Sequence, residues 1–172
     1  LNNSIQALEY EFASVIRNLS KVIRPQIGFI EGHGELDTLA TYDIAAALSE
    51  FYIVKRVEIK QQLKALDGYK AIIIAKPDTA FSEQDQFILD QYIMKGGKVL
   101  WVVDPINMPV DSLSRMGRVM AVPYTLGIDK MLYKYGVRVN ENMVVDMQCS
   151  AIPINKALKG QQPRFELMPW IF

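Results

Sequence analysis

The residues of this chain that could do chemistry cluster where one apolar run ends. The only histidine, His33, lies between two glycines and two glutamates, in the order Glu31, Gly32, His33, Gly34, Glu35. Imidazole titrates near neutral pH and a neighbouring carboxylate can fix its tautomer, so His33 could act as a general base or bind a ligand. Flanking glycines are typical of a tight turn with positive φ. The segment is therefore predicted to be a strand end that turns into a polar loop.

Other polar residues follow the later apolar runs at Glu58, Lys76, Asp78 and Asp104. Because the carboxyl ends of parallel strands border one crevice, these side chains are predicted to share a rim. The predicted ligand-binding set is Glu31, Gly32, His33, Gly34, Glu35, Lys76 and Asp104. Solvation alone also explains polar loop ends, and Lys76 could simply neutralise the carboxylates around it.

Several reaction chemistries fit these residues poorly. A dinucleotide fingerprint needs a small residue where the chain has Asp37, and the Gly-x-Ser-x-Gly elbow of α/β hydrolases does not occur. A zinc site of His33, Glu35 and Asp104 would lack the second histidine of most catalytic zinc sites. We therefore expect no catalytic residue, no metal and no cofactor, and favour a structural His33 bonded to loop backbone or to a neighbouring carboxylate.

Composition narrows the class of protein. The 172 residues are 50% hydrophobic and 22% charged, as in an ordinary globular protein, and Lys+Arg and Asp+Glu both number 19. This balance argues against nucleic acid as a partner. The longest apolar runs, such as residues 71–75, are far shorter than the roughly 20 residues that cross a bilayer. Cys149 is the only cysteine, so an internal disulfide is impossible. The first residue, Leu1, and the apolar last residues favour a piece of a longer protein.

The first 24 residues carry a heptad-like pattern. Apolar residues alternate at spacings of three and four at Ile5, Leu8, Phe12, Val15, Leu19 and Val22. This spacing predicts an amphipathic helix over residues 1–24. We expect the helix to pack on its own domain; an exposed seam would instead mark a homodimer or partner surface.

The following residues alternate between strand and helix patterns. Apolar runs at 27–30, 52–58, 71–75 and 99–103 predict strands, with 52–58 near the sheet edge and 71–75 and 99–103 in the core. One helix is predicted from an Asp37 N-cap, with Leu39, Ile44, Ala47 and Leu48 inward, and another from a Ser82 cap to Gly96. Residues 25–150 are therefore predicted to form a doubly wound, mostly parallel α/β sheet in the flavodoxin-like order.

The last third of the chain has weaker patterns. Residues 105–123 lack periodicity and could form a lid over the rim. A helix is predicted at 125–135, and short strands at 137–139 and 143–145. Residues 151–172 contain prolines and are predicted to be irregular, as the truncated start of further structure.

Several segments together resemble one known family. Residues 27–35 combine a short strand with Gly-His-Gly-Glu, and residues 82–105 combine a helix, a double glycine and a strand ending in Asp-Pro. With residues 111–113, 132–140, 145–149, 152–153 and 167–170, they resemble the auxiliary proteins of uncharacterised ABC-type transport systems, in particular the gliding-motility-associated, GldG-like members. Many of those relatives have glycine where this chain has Lys76.

The resemblance implies a non-enzymatic, substrate-binding-like or auxiliary domain on the extracytoplasmic (periplasmic) face of the cytoplasmic membrane. It implies anchoring by segments outside this chain and partners in the transporter's permease and ATPase subunits, and it transfers no catalytic residue. Two other functions stay open on the residues alone: a small-molecule or nucleotide-binding enzyme that uses the His33 crevice, and a structural scaffold that docks a partner.

Overall fold

The fold is described from a computed structural model, which covers residues 2–20, 23–108, 120–142, 146, 148–157 and 161–169, with side chains of the first helix from residue 8 onward. The helices are α1 (Asn2–Ser20), α2 (Tyr42–Ser49), α3 (Glu83–Met94) and α4 (Asp129–Lys134). The strands are β1 (Gln26–Glu31), β2 (Ile53–Glu58), β3 (Tyr69–Ala75), β4 (Lys98–Val102), β5 (Ile106–Asn107), β6 (Val122–Pro123), β7 (Ala151–Asn155) and β8 (Phe165–Pro169).

A parallel sheet organises the described residues. Four strands pair in the order β2-β1-β3-β4, and every pairing among them is parallel. The crossovers between β1 and β2 and between β3 and β4 contain α2 and α3. This confirms the predicted α/β class and agrees with the flavodoxin-like order for these strands. All four carboxyl ends consequently lie along one edge of the sheet.

The sheet separates two apolar layers. On one face, Ile30, Ile72 and Ile74 pack with Leu89 of α3 and Leu132 of α4. On the other face, the strand residues Ile27, Phe29, Ile73 and Ala75 pack against Ala45 and Leu48 of α2. Alternate residues of β1 and β3 thus contribute to opposite layers, as the period of two in a strand requires. Burial on both faces explains why these two strands are near-continuous apolar runs.

Helix α3 begins as its cap residues predict. The Asp85 backbone N–H donates to Ser82 Oγ at 3.1 Å, and Ser82 Oγ donates back to Asp85 Oδ2 at 2.7 Å. At the other end, Gly96 has a φ of +89°, which stops the helix before β4.

Helix α2 begins later than predicted. Asp37 does not cap it but closes a turn, in which the Asp37 side chain accepts from the Ala40 N–H at 2.8 Å. The helix starts only at Tyr42, and Leu39, Ile44 and Ala47, predicted to face inward, are exposed. Aspartate satisfies backbone donors in turns as readily as at helix ends, so the residue type alone did not distinguish the two.

Three further predictions about the second half differ from the structure. Among the described strands, β4 lies at an edge of the sheet rather than in its interior. Its Val99 and Trp101 pack against the core, whereas Leu100 and Val102 on its other face are exposed. The helix predicted at 125–135 is shorter in the structure. It begins only at Asp129, as α4, because Gly127 has a φ of +76° that a helix does not accommodate. Residues 137–139 form no strand with any described segment: after Gly136, which is also at positive φ, the Val137 N–H donates to the Leu132 carbonyl at 3.0 Å, at the end of α4.

The carboxyl-terminal segment is more regular than predicted. Strands β7 and β8 form an antiparallel hairpin in which Ile152 lies opposite Met168 and Pro153 opposite Leu167. Prolines are tolerated here because a two-stranded hairpin has open edges on which an absent N–H breaks no ladder bond. The prolines of this segment favour an irregular structure in the sequence, which is why the two strands are not predicted.

The predicted lid lies mostly outside the described residues. Its base is described, where Ile106 and Asn107 of β5 pair antiparallel with Pro123 and Val122 of β6. The strand predicted at 143–145 also lies outside the described residues. Among the helices that the structure describes, none combines the length and the apolar character needed to cross a membrane.

Candidate functional site

The loop after β1 folds across the carboxyl edge of the sheet onto the loop after β3. The Leu36 N–H donates to the Ala75 carbonyl at 2.9 Å. The His33 carbonyl accepts from the N–H groups of both Asp78 and Thr79 at 3.0 Å. These backbone bonds fix the Gly-His-Gly-Glu segment over the end of β3.

The His33 side chain is buried between two carboxylates. Its Nδ1 lies 3.3 Å from Glu35 Oε1, and its Nε2 lies 3.4 Å from Asp85 Oδ2. One face of the ring stacks on Phe81, with 3.9 Å between centroids and 15° between planes. A neutral imidazole has one N–H donor, whereas the imidazolium has two. The arrangement therefore suits the protonated ring.

The electrostatic surroundings favour the same protonation state. Burial lowers the pKa of His33, but the hydrogen bond and charge of Glu35, followed by those of Asp85, outweigh it. The pKa of His33 is consequently raised above its usual 6.5.

Both carboxylates are themselves held in place. Glu35 Oε2 accepts from the His33 backbone N–H at 2.7 Å, which closes a short ring within the loop. Asp85 accepts from Ser82 Oγ at Oδ2 and from the Gln61 backbone N–H at Oδ1, at 2.7 and 3.3 Å. Asp85 therefore joins the loop after β1, the start of α3 and the segment after β2.

Gly34 allows the two loops to approach. Its φ is +73°, and a Cβ added there would overlap the Asp78 carboxylate. Asp78 in turn accepts a hydrogen bond from Thr79 Oγ1 at 2.8 Å. A side chain at position 34 would have to displace the Asp78 carboxylate and adopt a positive φ, so glycine is favoured there.

Glu31 belongs to a separate cluster on the α2 side of the sheet. Arg56 Nη1 lies 2.7 Å from Glu31 Oε1 and donates to the Leu36 carbonyl at 3.1 Å. The same guanidinium also bonds Thr41 Oγ1 and lies 5.7 Å from the centre of the Phe29 ring. Glu31 therefore positions Arg56 and the loop rather than projecting freely into the crevice.

Lys76 and Asp104 form the exposed part of the rim. Lys76 Nζ lies 3.1 Å from Asp104 Oδ2, and both side chains are about half exposed. The backbone of Lys76 has a φ of +53°, in the left-handed region that favours glycine.

The structure thus brings the predicted residues to one edge but divides them among three environments. His33 and Glu35 are buried with Asp85, Glu31 pairs with Arg56, and Lys76 pairs with Asp104. Gly32 and Gly34 shape the loop through positive φ. Within the described ranges, no three His, Cys, Asp or Glu side chains come together as a metal site would need. The predicted binding role of the rim stays a prediction.

Three important residues do not stand out as part of the site from the sequence alone. The sequence indicates only a helix-cap role for Asp85, because a residue so far along the chain has no local link to His33. Phe81 showed no signal beyond being an apolar residue before the cap. Arg56 was likewise not distinguished within an apparently ordinary edge strand.

The parallel order β2-β1-β3-β4, helices on both faces and a loop cluster at the carboxyl edge define a doubly wound, flavodoxin-like α/β domain. Residues 24–172 match the model of a family described as "ABC-type uncharacterized transport system", and the chain belongs to that family of transport-system auxiliary proteins.

Among solved structures, the chain is similar to one described as "mmIFT52 N-terminal domain". The TM-score is 0.56 and the identity 20%, and the match covers 84% of this chain and 65% of that one. The likeness concerns the fold alone, and the chain spans less than two thirds of the length of that domain. A search of curated proteins found no match.

The raised pKa of His33 predicts a pH-dependent stability. The proton binds more tightly to the folded chain than to the unfolded chain, so its stabilising contribution is complete below about pH 6.5 and is lost as pH rises through the folded-state pKa. The free energy of unfolding in urea, measured for wild type and His33→Gln, should therefore differ most at low pH. Because the chain has one histidine, the variant has no histidine titration of its own. A difference that grows with pH would contradict this assignment.

The close approach of Gly34 and Asp78 predicts that the effect of a substitution at position 34 on the free energy of unfolding depends on the side chain at position 78. Gly34→Ala should destabilise the wild type by roughly 3 kcal/mol, from positive-φ strain and overlap with the carboxylate. In an Asp78→Ala background the overlap is absent, and the cost should fall to the roughly 1–2 kcal/mol of backbone strain. Urea unfolding of the two single variants and the double variant measures the difference. Equal costs in both backgrounds would show that the Asp78 carboxylate does not restrict a side chain at position 34.

Proposed function

We propose that this chain is a non-enzymatic, protein-binding domain of an ABC-type transport system, and that it contacts the system's permease and ATPase subunits. The observation that carries the proposal is the family match, which extends over residues 24–172. The proposal further assigns the chain to the gliding-motility type, on the extracytoplasmic face of the membrane and anchored by segments outside this chain. The GldG-like segments of the sequence support that finer assignment.

The environment of His33 supports a structural rather than a catalytic role. Both ring nitrogens face carboxylates, and the ring is stacked on Phe81. To act as a general base, a ring with a carboxylate at each nitrogen would have to keep one nitrogen unprotonated and give up that nitrogen's hydrogen bond to its carboxylate. The histidine instead connects the loop after β1 with α3, which suits a domain that presents a fixed surface.

The exposed rim is the surface that we assign to the transporter subunits. Lys76, Asp78 and Asp104 lie there with their side chains accessible, on loops tied together by backbone hydrogen bonds. Loops held rigidly at the carboxyl edge of a parallel sheet are the usual place for recognition. An exposed ion pair such as that of Lys76 and Asp104 contributes little to folding stability. Its two charges can therefore take part in binding without a large loss of stability.

A charge exchange tests this proposal. Exchanging Lys76→Glu with Asp104→Lys preserves the ion pair but reverses the charges that the rim presents. In the full-length protein, it should weaken co-purification with the permease and ATPase by about tenfold or more, the effect expected for a central charged contact.

A matched control lies at the opposite edge of the sheet. Lys95 and Asp67 form an exposed pair with 3.7 Å between Nζ and Oδ1, just before the starts of β4 and β3. Their exchange, Lys95→Asp with Asp67→Lys, should leave co-purification unchanged. Failure of the wild type to retain either subunit would refute the transport assignment, whereas equal retention by both exchanged variants would refute only the role of the rim.

A further inference from the structure

The amino-terminal helix presents its apolar face away from the domain. We define the α1 stripe as Leu8, Phe12, Val15, Ile16 and Leu19, whose exposed fractions lie between 52% and 81%. Helices of globular proteins ordinarily bury such a face against the core. The prediction that α1 packs its apolar seam on its own domain is therefore wrong.

Polar contacts attach the opposite face of α1 to the domain. Ser14 Oγ donates to Glu50 Oε1 at 2.6 Å, and Ser14 is the buried residue of the described part of α1. Arg17 donates to the Tyr52 hydroxyl at 2.9 Å, and its guanidinium lies 4.6 Å from the centre of the Phe51 ring. With 3.6 residues per turn, Ser14 and Arg17 lie on the side of α1 opposite the stripe. The helix is thus oriented by specific contacts that leave its apolar face available.

The charges beside the stripe are all acidic in the described helix. Glu9 and Glu11 lie on its two flanks and are exposed. Arg17, the basic residue in this part of α1, lies on the domain side and is occupied by Phe51 and Tyr52. A helix with an apolar stripe and acidic flanks, such as α1, is complementary to a partner helix whose apolar stripe has basic flanks.

We propose that the α1 stripe docks an amphipathic helix of another protein, in which Lys or Arg residues flank the apolar seam. The three- and four-residue spacing of the stripe fits knobs-into-holes packing, and its length accommodates roughly three turns of a partner helix. Binding buries the exposed stripe and pairs Glu9 and Glu11 with the basic flanks. The surface is separate from the rim, and the proposal does not depend on the transport assignment.

Two other occupants fit the charges less well. A second copy of this chain would bring a stripe with the same acidic flanks and, in the part of α1 whose side chains are described, no basic residue beside it. Homodimerisation through α1 therefore stays a prediction that the charges disfavour. Helices that lie on membranes carry Lys and Arg on their polar face to attract anionic lipids, whereas Glu9 and Glu11 would be repelled by them.

The test uses two synthetic helical peptides with the same leucine seam, one flanked by Lys and the other by Glu. Titration calorimetry with the chain should show that the Lys-flanked peptide binds at least about tenfold more tightly. Glu9→Lys combined with Glu11→Lys should reverse this preference, which non-specific apolar adhesion would not do. Phe12→Asp should abolish binding, whereas Leu39→Asp, at a site 84% exposed in the turn before α2, should not.

Each other outcome would overturn the proposal. Equal binding of the two peptides, or binding of neither, would refute the claim that the acidic flanks of α1 select a helix with basic flanks. A dimer in light scattering that Phe12→Asp dissociates would identify a second copy as the occupant, and binding to phosphatidylglycerol vesicles would identify a lipid surface. If circular dichroism shows that Phe12→Asp is unfolded, the reversal by the two surface glutamates decides the question alone.

Discussion

The buried contact of His33 with Glu35 and Asp85 is the constraint on which the carboxyl edge of this domain depends. Three segments that are distant in the chain meet there: the loop after β1, the segment that follows β2 and the start of α3. A charged ring is costly to bury unless each polar atom has a partner. Here both ring nitrogens have one, and the Phe81 ring covers the apolar face. The buried His33 ring therefore holds the loops in one arrangement, although burying this ring without its two carboxylate partners would be unfavourable.

This arrangement separates the polar residues of the edge by role. His33 and Glu35 are enclosed, Glu31 holds Arg56 on the α2 side, and Lys76 and Asp104 stay accessible. The inner residues stabilise the loops and the outer ones present charge. The α1 stripe adds a second presented surface, of apolar character, on a helix attached through its polar face. Two presented surfaces on a rigid α/β frame suit a domain that works by contact with other proteins.

The sequence predicted the fold well where burial on two faces makes a strong pattern. Strands β1 and β3 are interior strands with apolar layers on both sides, and the Ser82 cap located α3 because its hydrogen bonds are local. The start of α2 was misplaced because Asp37 closes a turn with the same chemistry that caps a helix. Of the site, the loop and its ionisable residues were predictable, but Asp85 was not, since only the crossover geometry brings it to His33.

The most direct measurement of the central claim is the protonation of the single histidine, followed by nitrogen-15 NMR of its ring. At pH 6.5, the ordinary pKa of histidine, more than half of the folded molecules should carry a proton on both Nδ1 and Nε2, and Asp85→Asn should lower that fraction. A ring that is mostly neutral at this pH, with one unprotonated nitrogen, would contradict the view that a charged His33 holds the carboxyl edge together.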